Sequence, residues 1–484
     1  MHSSPALRSS LPALRTHERS VLLAVLVAAL APTVCAFTRQ GTTLLTDGSL
    51  ADVNAALNAA VAGDEVRVPA GSFTWGDNGS TVNVSKPVQL VGAGPGQTII
   101  SISSTAGTWT NAVIRVSSGA VARDFTVRGA AGSKSAFATF GNGWRITNIT
   151  YLGVSGEGYF VYTSGGYGLI DSCNITGGAG NSELIFSRGP TDSWQTPSSM
   201  GSADAVYIED CTFNTNGYVC DMNSNARGVV RFCTITEMMK VDSHGVASNT
   251  PDRSARQIEI YGNAWTRDWA GTHIEVRGGT ARIFANRAAS LGEKAWFYLR
   301  EYGCLARWPN FNNTFQTPIN YPIKDQVGVG TDPKVGGAEP VYIWDMRAQN
   351  NADWPLNWFA DLTGAIDLYR VQTGNPTATF TKQDIIAKDR DYFREDITKT
   401  FDGSSGVGVG TKAQMNAIRG LKKGVGYWVT DEGEWNNTNG ATPDGQLYVW
   451  NGTAWEFNYR PYTYPHPLRG AGAPNNVRIR VDVR

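Results

Sequence analysis

The 484-residue sequence predicts an all-β protein built as a parallel β-solenoid, with an α-helical cap at its N-terminal end and an aromatic-rich C-terminal extension. Three observations carry this. A strand motif recurs at variable spacing through the middle of the chain. Glycine, at 54 residues, punctuates short β-rich runs. One amphipathic helix precedes the first run. Hydrophobic residues make up 41% and charged residues 17%, which supplies a core and excludes bulk disorder.

The N-terminus reads as an address. Val21–Ala31 is the apolar run VLLAVLVAALA, with Arg8, Arg15 and Arg19 before it and Val34-Cys35-Ala36 after it. That is the layout of a secretory signal over residues 1–36, cleaved after Ala36. The run is too short to span about 30 Å of hydrocarbon as a helix. The expectation is a secreted, extracellular or periplasmic protein without membrane insertion of the mature form. Removing the three arginines and one glutamate of this segment leaves 39 basic and 41 acidic residues, net −2. Without a basic excess, nucleic acid is not an expected partner. Cys173, Cys211, Cys220, Cys233 and Cys304 remain. An odd count leaves at least one thiol free, and the lack of a CxxC pair argues against zinc.

Residues 37–66 hold the cap. Val53, Ala56, Leu57, Ala60 and Val61 form one helical stripe, Ser49 with Asp52 resembles a capping box, and Gly63 marks the stop. The solenoid is expected over 67–305. Its motif is an aliphatic residue, two positions, Cys or Asn, one position, then an apolar residue. It appears at Ile170-Cys173-Ile175, Ile208-Cys211-Phe213, Val230-Cys233-Ile235, Ile260-Asn263-Trp265 and Ile283-Asn286-Ala288. Stacked rungs place the three cysteines in one buried column with Asn263 and Asn286, where the amides can satisfy backbone groups. A ladder of small side chains is the expectation, rather than disulfides.

A second strand in each coil exposes a surface. The runs begin at Phe160, Leu184, Val219, Lys240, His273 and Trp296. With period-two alternation, one face is small or apolar and points inward. The other carries three columns. These read Phe160, Leu184, Val219, Lys240, His273, Trp296; then Tyr162, Phe186, Asp221, Asp242, Glu275, Tyr298; then Ser164, Arg188, Asn223, His244, Arg277, Arg300. Charged groups on neighbouring rungs between aromatic platforms suit a bound sugar chain. Asp221, Asn223, Arg188, His273, Trp296, Tyr298 and Arg300 are the expected substrate contacts.

The helix followed by GDEVRVPAGSFTW (Gly63–Trp75), together with the stacked repeat, resembles the right-handed parallel β-helix of the pectate-lyase-like superfamily over residues 45–305. More narrowly, Glu275-Val276-Arg277-Gly278-Gly279 resembles the arginine-bearing rung of the chondroitinase B and alginate lyase family. That family places a lysine base one coil earlier, after a glutamate-rich strand that binds calcium. The matching stretch here is Glu237–Gly245, EMMKVDSHG. Arg277 matches the arginine, the lysine position falls on His244, and Lys240 lies four residues upstream. Glu237 matches one glutamate and Met239 replaces the other. Calcium would then need Asp221 or Asp242 as a substitute ligand.

Three chemistries fit this face. β-Elimination on a uronic-acid polysaccharide would use His244 or Lys240 as base and Arg277 as charge stabiliser. Glycoside hydrolysis would use Asp242 and Glu275 as paired carboxyls. A non-catalytic sugar-binding or adhesive solenoid would need only the surface. The first is the leading expectation, with an acidic polysaccharide as partner.

The extension, 306–460, is rich in tryptophan, and the Asp-Gly and Asn-Gly turns within 424–456 predict hairpins. Most of these tryptophans are expected in the core, with Trp435 the best candidate for exposure. The tail, 461–484, is Pro-interrupted and expected to run along the helix body or cover its end, with His466 structural.

Overall fold

The computed structural model describes residues 37–472 apart from 104–111, 131–134, 155–157, 178–182, 237–238, 246–252, 268–271, 290–295, 302–324, 326, 329–337, 349–351, 355, 361–375, 378–385 and 441. The expected signal segment and Cys304 therefore lie outside the described residues. The chain is a parallel β-helix. Its coils are made from three strand stacks, and the register is regular in the first two and shifts twice in the third.

The first stack includes Gly168–Asp171, Val206–Glu209, Arg227–Arg231, Gln257–Tyr261 and Thr280–Phe284, each parallel to the next. The second runs through Asn174–Gly177, Thr212–Asn214, Thr234–Ile235, Ala264–Trp265 and Arg287–Ala288. The third is a ten-stranded sheet that includes Val161–Ser164, Glu183–Arg188, Gly217–Asn223, Met239–Ser243, Thr272–Val276 and Trp296–Glu301. Stacking continues beyond residue 305. Val341–Trp344 pairs with Thr280–Phe284, Tyr392–Arg394 pairs with Val341–Trp344, and Leu356–Ala360 pairs with Trp296–Glu301.

The sequence motif marks the corner between the first two stacks. At each corner one residue takes a left-handed conformation: Ser172 (φ 57°), Asp210 (52°), Phe232 (56°), Gly262 (68°), Ala285 (53°) and Asp345 (49°). A non-glycine residue there costs energy, and the corner repays it by turning the next side chain into the core. Those next residues are Cys173, Cys211, Cys233, Asn263, Asn286 and Met346, all buried. The described cysteines are free thiols, as a small-residue ladder requires. The asparagines work as expected. Asn263 Nδ2 donates to the Val230 carbonyl (2.9 Å) and its Oδ1 accepts from Cys233 N–H (2.9 Å). Asn286 repeats this one coil on, donating to the Ile260 carbonyl at 2.9 Å.

The cap is the helix Leu50–Ala59, with Ser49 Oγ accepting from Asp52 N–H (3.3 Å). Val53, Ala56, Leu57 and Ala60 are buried on the first coils, but the helix ends before Val61, which is 61% exposed. The Asp52 carboxylate does not close a capping box. It accepts from the backbone N–H groups of Phe37 and Asp47 (2.8 and 2.9 Å), fixing the chain entry.

The C-terminal part forms a four-stranded sheet. Val407–Gly410 runs parallel to Gly426–Val429, which pairs antiparallel with Gln446–Trp450, which in turn pairs antiparallel with Trp455–Tyr459. The last pair is a hairpin closed over Asn451-Gly452. The sheet packs on the outer face of the first stack through Trp428, Leu447 and Tyr459, joined by Trp435 from the segment between its second and third strands. Trp435 is 8% exposed and donates Nε1–H to the Gly445 carbonyl, so the expectation of an exposed ring there fails. The Asp444 carboxylate draws it in by accepting its backbone N–H at 2.8 Å.

The described part of the tail, 461–472, runs along the body and is held by charge. Arg231 and Glu209 are 0% exposed and paired at 2.6 Å. Arg231 also donates to the carbonyls of Tyr462 and Thr463 (2.7 and 2.9 Å). Arg469 pairs with Glu209 (2.6 Å) and Asp210 (2.5 Å), and Arg145 bridges Asp171 to the Arg469 carbonyl. His466 is buried beside Tyr207 and donates its backbone N–H to Glu209. Burial and the charges of Arg231, Arg469 and Arg145 hold its pKa down at about 3, so it is neutral and structural.

Glu209 is the hub of this network. Glu209→Ala should leave Arg231 buried without its carboxylate and cost about 3–5 kcal/mol in urea unfolding. It should also free the tail to proteolysis. Unchanged stability would show that the tail is not held this way.

Candidate functional site

The site is the open face of the third stack. Register confirms the central column: Tyr162 opposes Phe186, Phe186 opposes Asp221, Asp221 opposes Asp242, Asp242 opposes Glu275, and Glu275 opposes Tyr298. The inward column is equally regular, with Val161, Ile185, Cys220, Val241 and Ile274 all at 0% exposure. The third column follows from the same pairing. Ser164 opposes Arg188 and Arg188 opposes Asn223. The ladder runs on through His244 N–H to the Met222 carbonyl (2.7 Å) and Arg277 N–H to the Ser243 carbonyl (2.8 Å).

The first column differs from the expectation. Phe160, Leu184, Val219 and His273 are all buried. The strand register shifts at Val219 and again at His273, so Tyr218 opposes Lys240 and Thr272 opposes Trp296. Each extra residue turns into the core, which breaks the period-two alternation. His273 is therefore not a substrate contact; its ring lies 5.7 Å from that of Trp265 and 5.4 Å from that of Trp354. The positions just before the inward residues, Tyr159, Glu183 and Tyr218, take the places on the open side. Strict alternation hid all three. The signal was a pair of consecutive large residues at each strand start, such as Tyr159-Phe160.

The charged groups converge. Arg277 holds Asp242 with two donors, Nε to Oδ1 at 3.1 Å and Nη2 to Oδ2. Arg277 Nη2 also lies 2.8 Å from His244 Nδ1, and Asp221 Oδ2 lies 3.2 Å from the same nitrogen. Lys240 Nζ pairs with Glu275 and sits 4.1 Å above the Tyr218 ring. Asn223 Nδ2 reaches Asp221 at 3.4 Å. The three acids are buried, whereas His244 is 26% exposed and Lys240 and Arg277 are each 15% exposed. Tyr162 and Phe186 stack at 5.6 Å, Tyr159 adds a ring 5.0 Å from Phe186, and Arg188 lies over Phe186. The side chains of Trp296, Tyr298 and Arg300, like Glu237, lie outside the described residues.

Crowding shifts several groups. Burial pushes Asp242 up to about 6; Arg277 opposes this, and the charges of Asp221 and Glu275 add to it. Burial and the Asp221 charge raise Glu183 to about 7. Burial pulls Lys240 down, but Asp242 and Glu275 outweigh it and hold the ammonium above its ordinary value. Burial raises the Tyr159 hydroxyl, and the charges of Glu183 and Asp221 raise it further, so it keeps its proton.

The resemblance implies calcium, and the donor set can be tested for it. Asp221, Asp242 and His244 offer ligand atoms within 4.8 Å of one another, and Asp221 Oδ1 is buried without a hydrogen-bond partner. Calcium takes 6–8 oxygen ligands. Here one of three donors is nitrogen, both Asp242 oxygens are held by Arg277, and the guanidinium already supplies positive charge at that point. Among the described residues, which do not include Glu237, the set does not fit calcium.

No family description and no curated protein sequence matches the chain. Among solved structures it is similar to an alginate lyase from Paenibacillus sp. str. FPU-7, at 13% identity and TM-score 0.33, covering 52% of this chain and 97% of that one. It is also similar to a PL6 family polysaccharide lyase from Pseudopedobacter saltans, at 12% identity and TM-score 0.40, covering 76% and 96%. Likeness this distant leaves the chemistry to be read from the groove itself.

The raised carboxyls set a pH dependence. Folding lifts Glu183 from 4.5 to about 7 and Asp242 from 3.8 to about 6. The folded state therefore binds more protons between these limits, and stability falls as pH rises through them. Glu183→Gln should flatten the decline between about pH 4.5 and 7 in calorimetric melts; an unaltered slope would place the Glu183 carboxyl in water.

Proposed function

We propose that the protein is a polysaccharide lyase that cleaves a uronic-acid-containing polysaccharide by β-elimination. The observation that carries this is the contact of one partly exposed imidazole, His244, with an arginine anchored on a buried aspartate. Elimination needs a base for the C5 proton and a cation for the carboxylate as charge develops on it. Lys240 is a poor base because its ammonium is paired with Glu275 and kept protonated. That leaves His244 as the base.

The two neighbours of His244 Nδ1 demand opposite tautomers. Arg277 can donate only to a bare Nδ1, whereas Asp221 can accept only from Nδ1–H. In the proposed reaction Arg277 Nη2 turns from Nδ1 to the sugar carboxylate and remains anchored to Asp242 through Nε. Nδ1–H then donates to Asp221, which leaves Nε2 bare to take the C5 proton. As the C4–O4 bond breaks, the imidazolium returns that proton to O4. The product gains a C4=C5 double bond and no water is consumed. The stacked Tyr162 and Phe186 rings offer a flat face to a neighbouring sugar, and Arg188 offers charge to its carboxylate.

Hydrolysis by Asp242 and Glu275 is less well supported. Both are buried, and each is already held by a cation, Arg277 or Lys240. Secretion after cleavage at Ala36 belongs to the same proposal, since a polysaccharide substrate lies outside the cell.

The test is the ultraviolet absorbance of unsaturated uronate, followed over alginate, pectate and glycosaminoglycan substrates with and without added calcium. Absorbance should rise without calcium. His244→Ala should lower kcat by roughly 10²–10⁴-fold. Arg277→Lys should also be impaired, because an ammonium cannot hold Asp242 and the sugar together. New reducing ends without absorbance would indicate hydrolysis, and binding without either would indicate a sugar-binding solenoid.

A further inference from the structure

The open face of the third stack continues past the charged cluster toward the N-terminal cap, and its character changes there. The central column runs back from Asp221 through Phe186, Tyr162 and Ala138 to Arg115 and Asn83. The third column runs back from Arg188 through Ser164 to Phe140. The strands that precede Glu183–Arg188 in this stack are Val82–Val84, Ile114–Val116, Phe137–Phe140 and Val161–Ser164, and they carry no Asp or Glu. The Arg115 guanidinium lies 4.6 Å from the centre of the Phe140 ring, which brings it from the central column to the line of Ser164 and Arg188. The strands of Arg115 and Arg188 are three rungs apart, about 14 Å. Arg188 is exposed and Arg115 is partly buried. Among the described residues Arg115 pairs with no carboxylate. At the other end of the face Arg277 is committed to Asp242, and Lys240 to Glu275.

We propose that Arg115, with Arg188, forms a remote binding strip for carboxylates of the uronate chain, so that the polymer lies along the solenoid axis and reaches from His244 toward the cap. The proposal rests on the lyase reading of the groove and gives it a chain direction and a chain length. Charge carries the argument. The chain as a whole is neutral, with 42 basic and 42 acidic residues, so it exerts no global pull on a polyanion. A guanidinium without a carboxylate partner, on strands without acids, exerts a local one. Contact with Phe140 uses the face of the Arg115 guanidinium, and its five N–H donors lie in the plane, in a fork that matches a carboxylate. Two cations on one line parallel to the axis suit a ligand that repeats its charge along its length. A single small anion would need only one of them. The strand of Arg115 lies five rungs, about 24 Å, from the strand that leads into His244. A pyranose ring is comparable in length to one rung, so a chain must exceed roughly five sugars to span both ends.

The test compares Arg115→Gln with the intact protein on graded oligomers of alginate and of pectate. For oligomers longer than the strip, KM should rise about tenfold with kcat unchanged, because the lost contact is the same in the ground and transition states. Trisaccharides placed at His244 end before Arg115 and should keep their KM. Arg115→Lys should recover part of the loss, since it restores the charge without the fork. A merely structural role for Arg115 would shift short and long oligomers alike. Calorimetric binding of the same oligomers to His244→Ala protein, with and without Arg115→Gln, reads the strip without turnover. Weaker binding of long oligomers alone, in a protein that never produces absorbance, would keep the strip and remove the lyase reading. Rising absorbance with a KM that Arg115→Gln leaves unchanged at every length, or raises equally at every length, would overturn the strip and keep the lyase reading. No binding of any oligomer and no absorbance would overturn both.

Discussion

Parallel stacking of rungs about 4.8 Å apart is the constraint on which the rest of the molecule depends. It places equivalent residues of successive coils beside one another, so one local choice is multiplied along the axis. A left-handed corner followed by a small inward side chain becomes a buried cysteine and asparagine ladder. A carboxylate on a strand becomes the column Asp221, Asp242, Glu275. An aromatic at a strand end becomes the row of stacked rings Tyr261, Phe284, Trp344.

The same constraint makes charge expensive. Stacked carboxylates repel one another, and burial adds to the cost. The groove answers with Arg277 on Asp242 and Lys240 on Glu275, and this pairing also divides their roles. Lys240 is committed to neutralisation, which leaves the imidazole as the proton carrier. On the opposite side the same problem at Asp171, Glu209 and Asp210 is met by Arg145, Arg231 and Arg469, and the chain's own tail becomes part of the solution. One ladder of charge supports proposed chemistry, and the other holds the tail in place.

Much of this was legible in the residues. The strand motif with Cys or Asn at its corner located the coils, because corner and core residues must recur on every rung. Period-two alternation located Asp221, Asp242, Glu275, His244 and Arg277 on one face, and the register agrees. The first column was not legible. Val219 and His273 are each compatible with an outward position, so strict alternation passes over the paired large residues that mark the strand starts. The register shift removed His273 from the groove and brought Tyr159, Glu183 and Tyr218 toward it.

The amino-acid pattern alone thus determined the coil repeat, the helical cap and the central column of the site, since each is local and periodic. Tertiary structure decided what depends on partners distant in sequence. It showed that stacking extends past residue 305, that Trp435 turns inward under Asp444, and that the tail docks on Arg231. It also decided that Arg277 stands between Asp242 and His244, a position taken by a side chain 33 residues from the histidine and set by the register of whole coils.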